Sequence, residues 1–302
     1  MFSSTIIPTI NRHTLATAVL SVLNQDFEAD NFEVIVVNDS GTPLPSADWQ
    51  NSDRVKIINT DHRERSVARN TGAAIAKGKY LHFLDDDDFI LPGALNAFWN
   101  LDSQNHAAWL YGSYRTIDNS GNIIEEIHPE VTGNVFALLV AGESFPFQIS
   151  LIKTDLFFQI GGFDSSPSIL GVEDRDVGRR LSTLGPLAYT PTVVGHIRIG
   201  EVGSTTNWQA ISERDRWGRE KALNLHDSFT YLRKSTDSCK SEGRLHKAYW
   251  RGRVCRSYFA SAIWNIQRKN FFTAASRGVS SIIFAGKDFI KPDFYRGLRD
   301  LD

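Results

Sequence analysis

One short stretch constrains this chain more than any other. An apolar run at 80–84 (Tyr-Leu-His-Phe-Leu) ends abruptly in four consecutive aspartates at 85–88. The apolar half must be buried, so the acids lie at the end of a core strand. Four negative charges within one turn repel one another strongly unless a cation neutralises them, and hard divalent cations with oxygen ligands do this in proteins. The alternative is an acidic helix cap, with Asp88 at the N-cap and Pro92 early in the following helix.

Composition excludes several classes of protein. A chain of 302 residues allows one large domain, or a domain with an appendage. The net charge of -2 and the pI near 6.5 give no reason to expect a nucleic acid partner. Cys239 and Cys255 lack CxxC spacing and predict neither a disulfide framework nor a cysteine metal site. With no signal-peptide pattern and no apolar run of about 18 to 20 residues, we expect a soluble, cytoplasmic protein.

The first hundred residues alternate between strands and helices, which predicts an α/β fold. Runs of β-branched and apolar residues predict strands at 5–8, 32–37, 55–59 and 80–84. Helical spacing from Thr14 onward places a helix between the first two strands, as in a βαβ unit. Two strands end in acids, at Asp39 and at 85–88. Because ligands of open α/β sheets bind outside the carboxyl ends of the strands, we expect these acids and the basic loop 62–65 to meet in one crevice.

A second acidic site follows about ninety residues later. The segments 109–117 and 123–127 flank a turn and predict a hairpin. The segment 171–181 then predicts a helix with Glu173 and Asp174 near its start and arginines near its end. That arrangement suits the helix dipole, so a purely structural role for these acids stays open on the pattern alone.

From residue 208 the composition shifts towards a mostly helical tail. Lysine and arginine become frequent, and aromatic residues recur at helical spacing. Such aromatic stripes usually face protein, so we favour packing on the α/β domain or on another subunit in a homo-oligomer. Contact with a membrane surface is the other reading, carried by Phe271, Phe272, Ile282, Ile283 and Phe284 with Arg268, Lys269, Arg277 and Lys287.

Several segments, in this order, resemble those of the family 2 glycosyltransferases. They are 6–12 (Ile-Ile-Pro-Thr-Ile-Asn-Arg), 34–40 (Val-Ile-Val-Val-Asn-Asp-Ser), 68–72 (Ala-Arg-Asn-Thr-Gly), 83–88 with Pro92, and 161–164 (Gly-Gly-Phe-Asp) leading to Glu173-Asp174. The resemblance covers residues 2 to about 205. It implies the GT-A fold, a Rossmann-like nucleotide-binding mixed sheet flanked by helices. The helical extension at 208–302, which composition predicts, lies outside the resemblance. The resemblance also implies a nucleotide-sugar half at about 1–100 and an acceptor half at about 101–207.

The resemblance implies a role for each acid of the cluster. Asp87 would be the principal metal ligand, with Asp85 and Asp88 assisting, and Asp86 would contact the ribose or the waters of the metal. Mg²⁺ or Mn²⁺ suits an all-oxygen site of this kind. Thr9, Asn11, Arg12 and Asp39 match positions that hold the nucleotide. Arg63 and Arg65 are placed to meet phosphate, and solvated loop arginines are the alternative for each.

The Glu173-Asp174 pair resembles the acidic pair that supplies the general base of an inverting transfer. Asp174 would take the proton of the acceptor hydroxyl, and Glu173 would orient it or contact the acceptor. One departure concerns a histidine that many relatives carry shortly after the late strand, where this chain has Gly200. His196 is the candidate substitute for a metal or diphosphate contact, and a buried strand histidine is the equal alternative.

These observations predict a metal-dependent, inverting glycosyltransferase with a nucleoside-diphosphate sugar as donor, in polysaccharide or glycoconjugate biosynthesis. UDP is the favoured nucleotide, and the acceptor is a saccharide, a lipid-linked sugar or a protein. A nucleotidylyltransferase is the alternative enzyme, although the segment 6–12 lacks the glycine-rich phosphate loop of that class. A binding protein that has lost turnover is the third reading.

Overall fold

The computed structural model describes residues 1–104, 107–200, 208–238, 240–241 and 247–299. The chain forms two compact units. The first comprises residues 1–130, 146–167 and 187–206, and the second comprises 131–145, 168–186 and 207–302. The sequence suggests one division, at residue 207. In the structure the earlier segments 131–145 and 168–186 also belong to the second unit, and the domain assignment itself stays a prediction. The loop segment 201–207 lies outside the described residues.

The first unit is built on one nine-stranded mixed sheet, as expected for the predicted fold class. Its strands are β1 Ser3–Thr9, β2 Phe32–Asn38, β3 Val55–Asn59, β4 Tyr80–Phe83, β5 Phe89–Ile90, β6 Trp109–Ile117, β7 Ile123–Ile127, β9 Ser150–Lys153 and β10 Leu187–Arg198. The order across the sheet is β3-β2-β1-β4-β9-β6-β10-β5, with β7 paired to β6. Strands β3, β2, β1 and β4 run parallel, whereas β9 pairs antiparallel with both β4 and β6.

The register of β1 with its neighbours decides which side chains meet at the carboxyl edge. Thr9 lies opposite Asn38 of β2, and Ile6 lies opposite Phe83 of β4. Continuing that second register by three residues brings Thr9 level with Asp86. Because β1 and β2 are buried along nearly their whole length, a slip of one residue would turn apolar side chains to the wrong face. The buried runs therefore fix the positions of the polar ends.

Among its described residues, this unit contains the α-helices α1 Leu15–Leu23, α2 Arg65–Ala74, α3 Ala94–Gln104 and α5 Thr154–Gln159. The predicted hairpin is confirmed, since β6 and β7 pair antiparallel around a turn in which Asp118 accepts backbone hydrogen bonds. The alternative role of Asp88 as a helix cap is wrong. The two residues after Asp88 form β5, which pairs with Gly195 and His196 of β10, and α3 begins only at Ala94.

His82 of β4 is buried and held by two hydrogen bonds. Its Nε2 lies 2.9 Å from the carbonyl oxygen of Gln148, and its Nδ1 lies 3.1 Å from Oγ1 of Thr5. A carbonyl can only accept, so Nε2 carries the proton and Nδ1 accepts from the threonine. Burial lowers the pKa of His82 to about 4, and the Gln148 hydrogen bond opposes that shift only in part. The neutral imidazole is thus part of the folded structure.

We expect this histidine to make the fold sensitive to mild acid. The pKa of the folded state lies below the ordinary value of 6.5, so the unfolded chain binds more protons between these two values. The stabilisation is complete above pH 6.5 and is lost as the pH falls towards 4, with a total of about 3 kcal/mol. Urea unfolding at pH 7.5, 6 and 5 should show this slope in the wild type. His82→Gln should flatten it, whereas His13→Gln at an exposed site should leave it unchanged.

The second unit is mainly helical, as predicted for the tail. Its helices are α4 Phe136–Val140, α6 Glu173–Leu181, α7 Trp208–Leu223, α8 Ser228–Ser238, α9 Lys247–Gln267, α10 Phe271–Ala285 and α11 Pro292–Arg299, with a two-stranded pair of β8 Val131–Thr132 and β11 Lys240–Ser241. A buried core joins Phe136 and Val140 to Leu232, Tyr258 and Phe284. Among the described residues, no helix combines the length and the apolar character needed to cross a membrane.

Helices α9 and α11 approach so closely that glycine is needed on both. A Cβ at Gly252 would lie 2.1 Å from the carbonyl oxygen of Phe294, and a Cβ at Gly297 would lie 2.1 Å from that of Tyr249. Both obstacles are backbone atoms, so a side-chain rotation cannot relieve them.

Gly297→Ala should therefore destabilise the protein by about 3 kcal/mol, since the helices must separate and lose packing. Gly278→Ala is the matched control, because a Cβ at that position in α10 would meet no atom within 4 Å. The control should be neutral or stabilising by up to about 1 kcal/mol through helix propensity. Urea midpoints measure both effects, and equal midpoints for the two variants would contradict the close helix crossing.

Candidate functional site

The carboxyl edge of the first unit places Thr9 and Arg12 against the acids that follow β4. Oγ1 of Thr9 donates to Oδ2 of Asp86 at 2.5 Å, as the strand register requires. Nη1 of Arg12 lies 2.5 Å from Oδ1 of Asp86 and 3.4 Å from Oδ2 of Asp87. The loop between them turns at Asn11, whose φ is +69° and whose N–H donates to Oγ1 of Thr9. Asp86 is buried and thus anchors the loop that carries Arg12.

The other three acids of the cluster have different partners. Asp85 accepts hydrogen bonds from Nη2 of Arg69 at 2.7 Å and from Nε2 of Gln148 at 2.9 Å. Asp88 accepts the backbone N–H of Arg198 at 2.7 Å, and Nε of Arg198 donates to the carbonyl oxygen of Asp87. Asp87 has the looser contact with Arg12 described above and is partly exposed.

The acids also differ in protonation energetics. Burial raises the pKa of Asp85, but the Arg69 guanidinium, the Gln148 hydrogen bond and the charge of Arg65 together outweigh burial and hold that pKa below its usual value. Burial and the negative charge of Asp85 raise the pKa of Asp87, and they raise the pKa of Asp88 well above its usual range. The cluster therefore holds more negative charge than its own arginines neutralise.

This excess charge fits a divalent cation. One carboxylate oxygen from each of Asp85, Asp87 and Asp88 lies within 4.8 Å of the others. Several oxygen ligands in one place are the donor set that Mg²⁺ and Mn²⁺ prefer. The residues present thus satisfy the chemistry of the predicted metal site.

Asp39, the acid that follows β2, organises the basic loop. Its carboxylate accepts from Oγ1 of Thr60 at 2.6 Å and from the backbone N–H groups of Arg63 and Glu64 at 2.8 and 3.1 Å. Burial raises the pKa of Asp39, but these hydrogen bonds outweigh burial and the net shift is downward. Asp39 is therefore an ionised carboxylate that fixes the start of the loop leading to Arg65, the first residue of α2.

A cleft of about 580 Å³ opens beside this loop. It is lined by Asn38, Gly41, Thr42, Pro43, Asn59, Thr60, Asp61 and Arg63. Its volume lies in the range of small-molecule sites, and its polar lining comes from the ends of β2 and β3. Arg63 is the predicted site residue that lines this cleft.

Helix α2 contacts the acid cluster and holds Asp85 in position. Arg69 pairs with Asp85, and its guanidinium also lies 5.4 Å from the centre of the Phe163 ring. Asn70 exchanges two hydrogen bonds with the backbone of Phe163, at 2.8 and 2.9 Å. Gly162, with φ of +70°, allows this contact, because a Cβ there would lie 2.7 Å from Oδ1 of Asn70. The Gly-Gly-Phe segment is thus tied to the helix that holds Asp85.

His196 lies in β10 opposite Phe89, with ring centres 4.8 Å apart. Burial lowers its pKa, and the charge of Arg115 adds to that effect. Among the described residues, its Nε2 is buried without a hydrogen-bond partner. Its role as a metal or diphosphate contact stays a prediction.

Glu173 and Asp174 belong to the second unit, where they begin α6. Oε2 of Glu173 accepts the N–H of Gly171 at 2.7 Å, and Oδ1 of Asp174 accepts the N–H of Arg175 at 2.7 Å. Glu173 is buried and Asp174 is half-buried. The next acid of the helix, Asp176, is held by Arg180 and Lys221. Asp176 thus stabilises the helix and its packing, whereas Asp174 lies nearer the surface.

Sequence reasoning missed three residues that contact the acids. Gln148 links Asp85 to His82, Arg198 holds Asp88, and Thr60 holds Asp39. Arg198 stands within the late strand that the sequence predicts, so its position near the sheet edge was open to inference. Gln148 gave no signal, because its segment carries no motif.

A mixed sheet with an acidic cluster at the carboxyl end of β4, beside a strand-end cleft, is the arrangement of GT-A glycosyltransferases. Residues 4–163 match the model of the family described as Glycosyl transferase family 2. That range contains all but the first residue of β1, the strands β2 to β4, the acid cluster and the Gly-Gly-Phe segment. The chain belongs to this family.

The comparisons with individual proteins agree. The chain is 29% identical over 156 residues to poly(ribitol-phosphate) beta-N-acetylglucosaminyltransferase TarP of Staphylococcus aureus, covering 50% of this chain and 47% of TarP. It is 28% identical over 132 residues to the Escherichia coli UDP-Glc:alpha-D-GlcNAc-diphosphoundecaprenol beta-1,3-glucosyltransferase WfgD, covering 42% of this chain and 51% of WfgD. The chain spans between about a fifth and just under two thirds of the length of the curated relatives it matches.

Solved structures confirm the fold. The crystal structure of S. aureus TarS 1–349 in complex with UDP-GlcNAc superposes with a TM-score of 0.62 at 16% identity, covering 93% of this chain and 91% of that one. The likeness thus extends over the helical second unit as well as the sheet.

Proposed function

We propose that this protein transfers a sugar from a nucleoside-diphosphate sugar to an acceptor hydroxyl, with inversion at the anomeric carbon, in polysaccharide or glycoconjugate biosynthesis. The observation that carries the proposal is the strand register, which sets Thr9 and Arg12 against the acids after β4 and sets Asp39 at the adjoining strand end. Within a family 2 glycosyltransferase, that edge is where we assign the donor.

The donor would bind along this edge with its nucleoside near the cleft beside Asp39. Thr9, Asn11 and Asp39 are the proposed contacts of the base and ribose, together with Asp86. Arg12, Arg63 and Arg65 are the proposed cations for the diphosphate. WfgD is named for UDP-Glc and a TarS structure holds UDP-GlcNAc, which supports a UDP-sugar as donor.

Asp87 would be the principal ligand of Mg²⁺ or Mn²⁺, with Asp85 and Asp88 contributing oxygens. When bound, the cation would supply positive charge next to the departing diphosphate. Arg69 and Gln148 would keep the carboxylate of Asp85 in place, and the backbone N–H of Arg198 would keep that of Asp88 in place.

The transfer itself needs a base for the acceptor. As the acceptor oxygen attacks the anomeric carbon, its proton would pass to the carboxylate of Asp174. The bond between the anomeric carbon and the diphosphate oxygen breaks with its electron pair, and the nucleoside diphosphate leaves. Glu173, held by the Gly171 N–H, would orient the acceptor or the base.

The names of two relatives support the class of acceptor. TarP is named for poly(ribitol phosphate), and WfgD for a sugar on diphosphoundecaprenol. We therefore propose a cell-envelope polymer or a lipid-linked saccharide as acceptor, rather than a protein. In this scheme residues 1–100 serve the donor and residues 101–207 the acceptor.

The experiment is a panel of UDP-, GDP- and TDP-sugars, incubated with the protein and Mg²⁺, Mn²⁺ or a chelator. Thermal shift ranks the donors, because a bound ligand raises the melting temperature, and the released nucleotide is identified by chromatography. Release of a nucleoside diphosphate with one donor supports the proposal. Formation of a nucleoside triphosphate and a sugar 1-phosphate when pyrophosphate is added would instead assign nucleotidyl transfer. Binding without turnover over hours with every acceptor class would assign a binding protein.

A further inference from the structure

The outer face of α10 differs from the solvent face of an ordinary surface helix. Its inner side packs into the unit through Ala274, Ser281 and Phe284, which are buried. The only charged residue of the helix is Arg277, which is also buried and donates to Oδ1 of Asn224. The outer face thus carries no charge at all, although a surface helix usually carries its charges there.

That outer face is apolar instead. The exposed fraction is 90% for Phe272, 74% for Ile282 and 72% for Ile290 of the turn after the helix. The positions 272, 279 and 283 recur at helical spacing, so they form one line along α10. We call the whole set the apolar strip: Phe272, Val279, Ile282, Ile283, Phe289 and Ile290. Monomeric proteins seldom expose so many large apolar side chains side by side without a partner to cover them.

Basic residues stand at both ends of the apolar strip. Arg268 and Lys269 precede α10, and Lys287 and Lys291 follow it, all exposed. Between residues 268 and 291 the chain has five basic residues and one acid, Asp288. That acid is buried and pairs with Arg251 and Lys291. The strip therefore ends in positive charge on either side.

We propose that the apolar strip docks this protein on the surface of a bilayer that contains anionic lipids. An interfacial helix inserts its apolar face between the headgroups while its lysines and arginines reach the lipid phosphates. The charge distribution favours this partner over a second copy of the chain. In a symmetric contact through the strip, either alignment brings a basic end of one copy against a basic end of the other, whereas anionic headgroups attract both ends.

The test is flotation of the full chain with vesicles of phosphatidylcholine, alone or with 30% phosphatidylglycerol. The wild type should float with the anionic vesicles, less so in high salt. Ile282→Gln/Ile283→Gln should lower the partition coefficient at least tenfold. The matched control is Ile123→Gln/Ile124→Gln, another adjacent pair of exposed isoleucines on β7, and it should float like the wild type.

A second variant tests the basic ends. Lys269→Gln/Lys287→Gln should lower binding to anionic vesicles about tenfold and leave binding to neutral vesicles unchanged. Thermal unfolding of each variant reports whether it is folded, and these positions are exposed. The proposal is overturned if the wild type does not float, or if the strip variant floats as well as the control. It is also overturned if sedimentation shows a dimer that only the strip variant dissociates, which would assign the strip to a second copy. Flotation needs no nucleotide sugar, so its outcome is separate from that of the transfer assay.

Discussion

The Asp174→Asn variant should lose about 10²- to 10⁴-fold of its turnover number, because an amide cannot take the proton of the acceptor hydroxyl. The affinity for the donor nucleotide should remain, since the substitution keeps the shape of the side chain. The amide oxygen can still accept the Arg175 N–H that Asp174 accepts at 2.7 Å. Steady-state kinetics with the donor identified above, together with calorimetric binding of the nucleoside diphosphate, separate the two effects.

The competing explanation for Asp174 is a structural one. If its charge only favours the start of α6, the neutral amide should cost about 0.5 kcal/mol of stability and leave turnover almost unchanged. Asp176→Asn serves as the contrasting control from the same turn. Asp176 is buried against Arg180 and Lys221, so its neutralisation should lower the melting temperature much more than Asp174→Asn does. Turnover that survives in Asp174→Asn would contradict the assignment of Asp174 as the general base.

Asp87→Ala should lower turnover by about 10²- to 10³-fold, since the variant loses the principal proposed ligand beside the diphosphate. Its stability should be unchanged or higher. Burial and the charge of Asp85 raise the pKa of Asp87, which means that the ionised side chain weakens the fold at neutral pH and its removal relieves repulsion. A rate loss with no loss of stability is the signature of a functional acid.

A metal titration makes the Asp87 prediction sharper. Adding Mn²⁺ should raise the melting temperature of the wild type, because a ligand that binds the folded state stabilises it, and Asp87→Ala should lose most of that rise. Asp53→Ala, which removes an exposed acid elsewhere on the first unit, should keep both the activity and the metal response. An equal metal response in the wild type and in Asp87→Ala would count against the proposed ligand set.

The sheet edge was largely predictable, and the reason is burial. Strands β1, β2 and β4 are buried on both faces, so β-branched and apolar residues dominate their sequences, and the polar residues that follow each run are easy to recognise. Asp39 and the acids at 85–88 were found in this way. The partners Gln148 and Arg198 were not, because they reach the cluster only through the order of β9, β6 and β10 across the sheet. Local patterns do not encode that order.

The alternative reading of Asp88 as a helix cap fails for the same reason. Asp88 and Pro92 looked like the start of a helix because both residue types favour helix N-termini. The intervening Phe89 and Ile90 instead pair with β10, more than one hundred residues away in the sequence. A long-range strand pairing thus overrode a short-range preference. The grouping of 131–145 and 168–186 with the second unit was hidden for the same reason.

The way in which the chain alternates between its two units also bears on how it can be synthesised. Helix α4 has its partners about one hundred residues later, where Oγ of Ser235 accepts the N–H of Ala137 at 2.9 Å and Leu232 joins the same core. Arg179 of α6 likewise forms its ion pair with Asp215, which follows 36 residues later in the chain. During translation, both segments leave the ribosome well before the helices that bury them exist. The second unit must therefore complete its folding late, and fragments ending near residue 207 should expose the apolar segment of α4 and aggregate.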